Sequence, residues 1–184
     1  MMIGLIVAAA VVVLFLLYLV GLYNRLVKRR NQVDNAWGQI DVQLKRRYDL
    51  IPNLVETVKG YASHERGIFE AVSQARARAV GAGSPGAAAE ADGVLTGTLR
   101  TLFAVAEAYP DLKANTNFLS LQQELATTED RAAYARQYYN DAVLGFNNSV
   151  ATFPTVVFAA MLGFHRREFF RAEGAETAPV RVQF

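Results

Sequence analysis

The sequence has no cysteine, only two histidines, and no charged side chain before Arg25. The lack of cysteine excludes disulfide bonds, thiolate metal sites, a cysteine nucleophile and lipid attachment through cysteine. Because no charged residue precedes Arg25, all 19 basic and 17 acidic residues lie in residues 25–184. That part has the composition of an ordinary soluble domain and the length of one domain of typical size. The chain thus divides into a short apolar segment and one larger domain.

The apolar segment is long enough to cross a membrane. It reads IGLIVAAAVVVLFLLYLVGL from Ile3 to Leu22, and a helix rising about 1.5 Å per residue would span a hydrocarbon layer of roughly 30 Å. The alternative is a cleaved signal peptide, which is disfavoured because a basic n-region and an Ala-x-Ala cleavage site are both missing. We predict a transmembrane anchor over residues 1–24. Its membrane-anchor residues are Ile3, Leu5, Val12, Phe15, Leu19 and Leu22.

Basic residues follow the anchor and predict its orientation. Seven lie between residues 25 and 47, against two acidic ones. The positive-inside rule then predicts an inner-membrane protein with its N-terminus outside and its C-terminal domain in the cytoplasm. Candidate contacts to anionic lipid headgroups are Arg25, Lys28, Arg29 and Arg30. The rest of the domain is net acidic, which disfavours a nucleic-acid partner.

The domain shows helical periodicity, with apolar or large residues at alternating spacings of three and four. The first stripe keeps its phase through Pro52, so we predict one helix from about Tyr23 to Tyr61, kinked because Pro52 cannot donate to the carbonyl of Tyr48. The alternative is a break at Pro52, capped by Asp49 or Asn53. This stripe comprises Val33, Trp37, Ile40, Leu44, Tyr48, Ile51, Val55, Val58 and Ala62.

Three further segments continue the pattern. A second helix has Ile68, Val72, Ala75 and Ala79 on one face, and a third runs from about Ala87 to Ala108. The last long helix, capped by Asn115 or Asn117, ends at Phe153-Pro154. A short segment at 155–162 and an irregular tail at 163–184 follow. The last helix buries a stripe of Phe118, Leu121, Leu125, Thr128, Ala132, Ala135, Tyr139, Ala142, Phe146 and Val150.

Strand signals are absent, so the predicted fold is all-α. It consists of an N-terminal transmembrane helix followed by an antiparallel up-and-down bundle of three to four long helices. The predicted boundaries are 1–24 for the anchor, 25–162 for the bundle and 163–184 for the tail.

Known chemical motifs fail when their context is considered. The loop GAGSPG at 81–86 matches G-x-G-x-x-G, but a dinucleotide site needs a preceding strand and this loop follows a helix. His64-Glu65 lacks the second histidine of a zinc motif, because Ile68 occupies that position. We therefore predict no catalytic, cofactor-binding or metal-binding residues, no cofactor and no enzymatic activity.

Polar residues on the first and last long helices leave two interpretations open. They could form a buried site between the helices, or a solvated face with a few hydrogen bonds that fix helix register, which we favour. These residues are Glu124, Arg131, Gln137, Asn140 and Asp141, with Asn35, Gln39 and Gln43.

Tyrosines widen the apolar arc of the last long helix. Tyr134 and Tyr138 flank the core position Tyr139, so either another segment or another subunit covers them. We predict that Tyr134 and Tyr138 form an interaction face. The tail strip at 164–170 either lies at the membrane surface or docks on the bundle.

Residues 31–61 read NQVDNAWGQIDVQLKRRYDLIPNLVETVKGY. This stretch resembles the signature of the LemA family of bacterial membrane proteins. His64-Glu65, the run NFLSLQQEL at 117–125, the run 128–140 and the ending 153–170 follow in the order which that family shows. The resemblance covers nearly all of residues 23–170.

This resemblance implies a single-span anchor with an antiparallel helical bundle. It implies no enzymatic activity or cofactor, so no catalytic residues carry over. Relatives tied to magnetosome membranes, and members encoded near membrane metallopeptidases, imply a role in membrane organisation or in serving a membrane protein. We therefore expect a membrane-anchored scaffold that forms a homo-oligomer or binds a membrane protein such as a metallopeptidase. The alternatives are direct membrane remodelling and, least favoured, an enzyme with a buried polar site.

Overall fold

A computed structural model describes residues 1–171, and these residues are all-α with no strand. The all-α prediction is therefore confirmed for this part of the chain, with its long apolar N-terminal helix and further packed helices. The last residues of the predicted tail, 172–184, lie outside the described residues. The helices are α1 (Met2–Lys59), α2 (Arg66–Val80), α3 (Pro85–Ala106), α4 (Pro110–Lys113), α5 (Thr116–Ala151) and α6 (Thr155–Ala159).

The predicted anchor and the first bundle helix are one element. Helix α1 runs for 58 residues without interruption, with Pro52 inside it. The alternative of a helix break capped by Asp49 or Asn53 is therefore wrong.

A side chain of α2 compensates for the missing donor at Pro52. Proline has no backbone N–H, so the carbonyl of Tyr48 loses its usual donor four residues later. Arg76 Nε donates to that carbonyl oxygen at 2.7 Å instead. A side chain of α2 thus replaces the missing backbone donor of α1.

The described residues form two compact units. The first contains Met1–Ala36 and Asn140–Arg167, so it combines the N-terminal part of α1 with the end of α5 and with α6. Rings join these segments: the centroids of Phe15 and Phe158 are 6.4 Å apart, and those of Tyr23 and Phe164 are 5.6 Å apart. Arg29 Nη1 also donates to the carbonyl oxygen of Gly145 at 3.0 Å.

The second unit contains residues 37–139 and 168–171. Trp37 of α1 contacts Tyr139 of α5, while Arg47 of α1 contacts Glu129 of α5. Residue numbers rise along α1 as they fall along α5, so the two segments are antiparallel. Helices α2 and α3 pack together and are joined by the short turn at 81–84.

The predicted core stripes are buried with few exceptions. On α5 all ten predicted positions are buried except Leu121, which is half-buried. On α2 the stripe differs from the prediction, because Phe69 is buried and Ile68 is half-buried. The phenylalanine ring offers the larger apolar area, and Lys59 Nζ lies 5.9 Å above its centre.

Capping residues set the helix starts in the second unit. Ser84 precedes Pro85, the first residue of α3, and its Oγ accepts from the backbone N–H of Ala87 at 3.2 Å. Asn115 Oδ1 accepts from the backbone N–H of Phe118 at 3.1 Å. Of the two predicted caps of α5, Asn115 is thus the one used.

Candidate functional site

Four charged side chains from three helices meet in the second unit, and we call them the charge cluster: Arg47, Asp92, Glu129 and Arg136. Asp92 lies between two arginines, with Oδ1 2.8 Å from Arg47 Nη1 and Oδ2 2.6 Å from Arg136 Nη2. Glu129 lies against the same two guanidinium groups, at 2.8 Å and 3.3 Å. The cluster is formally neutral, because each positive charge has a negative partner.

The environment of the cluster decides its electrostatics. Arg47 and Asp92 are both buried. Burial raises the pKa of Asp92 above its usual range, although the charges of Arg47 and Arg136 act in the opposite direction. Burial also raises the pKa of the neighbouring Tyr48 hydroxyl, and the charge of Asp92 adds to this effect. Burial thus disfavours the charged form of Asp92, and the two arginines offset part of that cost.

Further hydrogen bonds fix the geometry around Arg47. Its Nη2 donates to Thr96 Oγ1 at 3.0 Å, and that hydroxyl donates in turn to the carbonyl of Asp92 at 2.8 Å. The guanidinium of Arg136 lies 5.5 Å over the ring of Phe170. A cavity of about 340 Å³ lies beside Arg47 and Glu129. The charged groups thus pair with one another and hold α1, α3 and α5 together.

The polar residues singled out in the sequence do not form this cluster. Of the eight, Glu124, Arg131, Gln137, Asp141, Asn35 and Gln39 are exposed, while Asn140 and Gln43 are half-buried. The solvated-face interpretation therefore fits six of them.

Arg47 and Asp92 were not predicted as site residues, although both follow the core periodicity. Arg47 lies three residues after Leu44 and four before Ile51, and Asp92 lies three residues before Leu95. A charged residue in phase with an apolar stripe was the available signal.

The structure leaves most of the predicted membrane-anchor residues exposed. Ile3, Leu5, Val12 and Phe15 are exposed, Leu19 is half-buried and Leu22 is buried. Within residues 1–171, α1 is the one helix long and apolar enough to cross a membrane. Its apolar window is wholly unburied.

The four predicted headgroup residues fall into two pairs. Arg25 and Lys28 are exposed. Arg29 donates to Gly145, as described above, and the guanidinium of Arg30 lies 5.6 Å over the ring of Phe164. Only the first pair is therefore fully available to lipid headgroups.

The predicted interaction face on α5 is exposed, with Tyr134 at 76% and Tyr138 at 44% of full accessibility. The tail strip behaves differently, because Phe164 and Phe170 are buried. The rings of Phe164 and Phe170 therefore pack on protein, which favours docking on the bundle, while Phe169 is half-buried. His64 and His165 are exposed, and no metal-binding group of His, Asp and Glu occurs within residues 1–171.

A second apolar surface lies at residues 153–162, which we call the elbow. It comprises α6 and its flanks, between the end of α5 and Gly163. The elbow exposes large apolar side chains: Phe153, Val156, Val157, Met161 and Leu162. No role was predicted for this segment from the sequence.

These features define an α-helical bundle protein with a candidate N-terminal membrane span. The sequence model of the LemA family matches residues 36–184, and the chain belongs to that family.

Named relatives extend the similarity over nearly the whole chain. Magnetosome protein MamQ 2 of Paramagnetospirillum magneticum is 28% identical over 195 residues, covering 92% of this chain and 72% of the relative. Magnetosome protein MamQ of Magnetospirillum gryphiswaldense is 26% identical, covering 91% and 71%. Protein LemA of Metamycoplasma hominis is 28% identical, covering 91% and 77%.

Proposed function

We propose that this protein is a non-enzymatic, membrane-anchored helical scaffold that associates with itself or with a membrane protein through an exposed face of its bundle. The observation that carries the proposal is helix α1, in which an unburied apolar N-terminal segment and a buried bundle stripe belong to one uninterrupted element. Similarity to magnetosome proteins agrees with a role at a membrane.

The charge cluster supports a structural role over a catalytic one. A general acid or base needs an ionisable group that a substrate can reach. Both oxygens of Asp92 are held by arginines, and the residue is buried. The cluster is thus organised to join helices.

The binding face of the scaffold is formed by Tyr134 and Tyr138. Tyrosine is enriched at protein interfaces, since it combines a large apolar ring with a hydroxyl group. Both rings stand out from α5, separated by about one helical turn. They therefore form a continuous patch for a second copy or a partner.

Light scattering of the full-length protein in detergent or nanodiscs tests this proposal. We expect a discrete oligomer that dissociates in the variant Tyr134→Ser/Tyr138→Ser. The matched control is Val94→Ser, which removes an exposed apolar side chain of α3 and should leave the mass unchanged. A monomer at all concentrations, with no membrane protein recovered by crosslinking through this face, would refute the scaffold role.

We further propose that the bundle is cytoplasmic and the anchor lies in the inner membrane, because basic residues follow the span. The chain has no native thiol, so the variant Tyr134→Cys carries a single label site. An impermeant thiol reagent should label it only after the cells are opened. Labelling of intact spheroplasts would show the opposite orientation.

Direct membrane remodelling is a second candidate function, favoured by the exposed Arg25 and Lys28 beside the span. Replacement of these two by Gln should reduce liposome deformation without disturbing the contacts of Arg29 and Arg30. Unchanged deformation would exclude the basic strip as its source.

A further inference from the structure

We infer that the elbow, residues 153–162, inserts into the lipid bilayer beside the N-terminal span, in the leaflet that holds the C-terminal end of the span. This inference rests on the proposed membrane anchoring. It adds a second membrane contact, made by residues 153–162, that does not span the bilayer.

The elbow lies within a long segment that has no charged residue. The chain has no Asp, Glu, Lys or Arg from residue 142 to residue 164. Basic residues begin immediately afterwards, and Arg166 and Arg167 are both exposed. A charge-free segment followed by exposed arginines is the pattern expected where a chain leaves the hydrocarbon layer and reaches the headgroups.

The apolar side chains of the elbow are highly exposed. Met161 and Phe153 show 85% and 78% of their full accessible surface, among the largest values for apolar side chains of the first unit. Soluble proteins rarely leave contiguous apolar patches of this kind in water. The elbow therefore needs an apolar environment.

A contact between the elbow and the candidate span indicates that this environment is lipid. The ring of Phe158 contacts the ring of Phe15, which lies inside the candidate span. Phe15 precedes the end of the apolar run at Leu22 by seven residues, or about 10 Å along the helix axis. A span that crosses the bilayer thus places Phe158 about 10 Å below the boundary, among acyl chains.

Backbone N–H groups at the end of the elbow are hydrogen-bonded within the chain. An apolar medium requires that backbone polar groups find partners within the protein. The N–H of Leu162 donates to Phe158, that of Gly163 to Ala160, and that of Phe164 to Ala159, all within 3.1 Å. The carbonyl groups of Phe158, Ala159 and Ala160 thus all have backbone donors within the chain, as an apolar environment requires.

Hydroxyl groups just before the elbow also have hydrogen-bond partners within the protein. Thr152 Oγ1 donates to the carbonyl of Asn148 at 2.6 Å, and Ser149 Oγ donates to that of Gly145 at 2.8 Å. Both hydroxyl groups thus bond to the helix that carries them. An aromatic contact between Tyr23 and Phe164 then follows at the level where tyrosine favours the interface.

The test uses the full-length protein in phosphatidylcholine vesicles and single-cysteine variants, since the chain has no native thiol. A polarity-sensitive fluorophore is attached at Val157→Cys. The matched positions are Leu16→Cys in the span and Val80→Cys on α2. These three residues have nearly equal exposure, at 55%, 54% and 59%. Lipids carrying a nitroxide on the acyl chain serve as quenchers.

We expect the label at position 157 to be blue-shifted and quenched as strongly as the label at position 16, while the label at position 80 is not quenched. Met161→Cys gives an independent elbow position if one variant folds poorly, as judged by helical circular dichroism. A label at both elbow positions that behaves like the one at position 80, while position 16 is quenched, would overturn the insertion and leave the anchoring intact. An unquenched label at position 16 would refute the anchoring and the inference together.

Discussion

The hydrogen bond from Arg76 to the carbonyl of Tyr48 gives a sharp prediction about helix α1. Arg76 Nε lies 2.7 Å from the oxygen that Pro52 leaves without a backbone donor. Removal of this donor by Arg76→Leu should therefore destabilise the protein. The same substitution should cost much less in the background Pro52→Ala, because a backbone N–H is then restored four residues after Tyr48.

The size of the effect follows from the geometry. A hydrogen bond that involves a charged group contributes about 1.5–3 kcal/mol. The Arg76 side chain keeps 33% of its accessible surface, so water replaces part of the lost interaction, and we expect a cost of about 1–2 kcal/mol. In the Pro52→Ala background the cost should fall to a few tenths, which gives a coupling energy of about 1 kcal/mol.

Urea unfolding of the full-length protein in detergent measures this coupling. Trp37 is the single tryptophan, and its ring lies 5.6 Å from that of Tyr139, so its fluorescence reports on packing in the second unit. Arg78→Leu is the matched control, because Arg78 is an exposed arginine on the same helix. If Arg76→Leu costs the same in both backgrounds, Arg76 does not act as the substitute donor and the reasoning fails.

Three further predictions concern other contacts. Asp92→Asn leaves two arginines facing one carboxylate and should cost about 3–5 kcal/mol in the Trp37 assay, while adding Arg47→Met should recover part of that loss because it restores neutrality; an additive double variant would contradict this account. Asn115→Ala removes the cap of α5 and should cost about 1 kcal/mol in the same assay, and an unchanged midpoint would show that the cap is dispensable. Gly163→Ala places a side chain at a φ of 76° and should cost about 1 kcal/mol, seen as a lower midpoint of thermal loss of helicity, whereas an equal or higher midpoint would contradict backbone strain there.

Periodicity was sufficient to predict the long helices, because burial of one face demands apolar residues at spacings of three and four, but the short helix α4 was not predicted. The stripe through Pro52 predicted a helix that continues past the proline, and α1 does continue. The sequence could not supply the reason for this continuity. Arg76 lies 28 residues from Tyr48, and nothing local to either residue indicates that they meet.

The charge cluster shows where the prediction failed. Core stripes were traced through apolar residues only, so the arginine at 47 and the aspartate at 92 were left out of them. The two side chains pair with each other in the core although they lie 45 positions apart in the sequence, so neither position by itself indicates a partner. The elbow was missed for a related reason. The sequence shows that its side chains are apolar, but only the fold shows that they are left exposed.

The donor role of Arg76 also bears on the order in which the chain acquires its structure. Synthesis proceeds from the N-terminus, so the apolar start of α1 and the carbonyl of Tyr48 are made before Arg76. Until α2 packs against α1, that carbonyl lacks the donor that Arg76 supplies. The hydrogen bonding of α1 at Pro52 is therefore completed by tertiary structure and not by the helix alone.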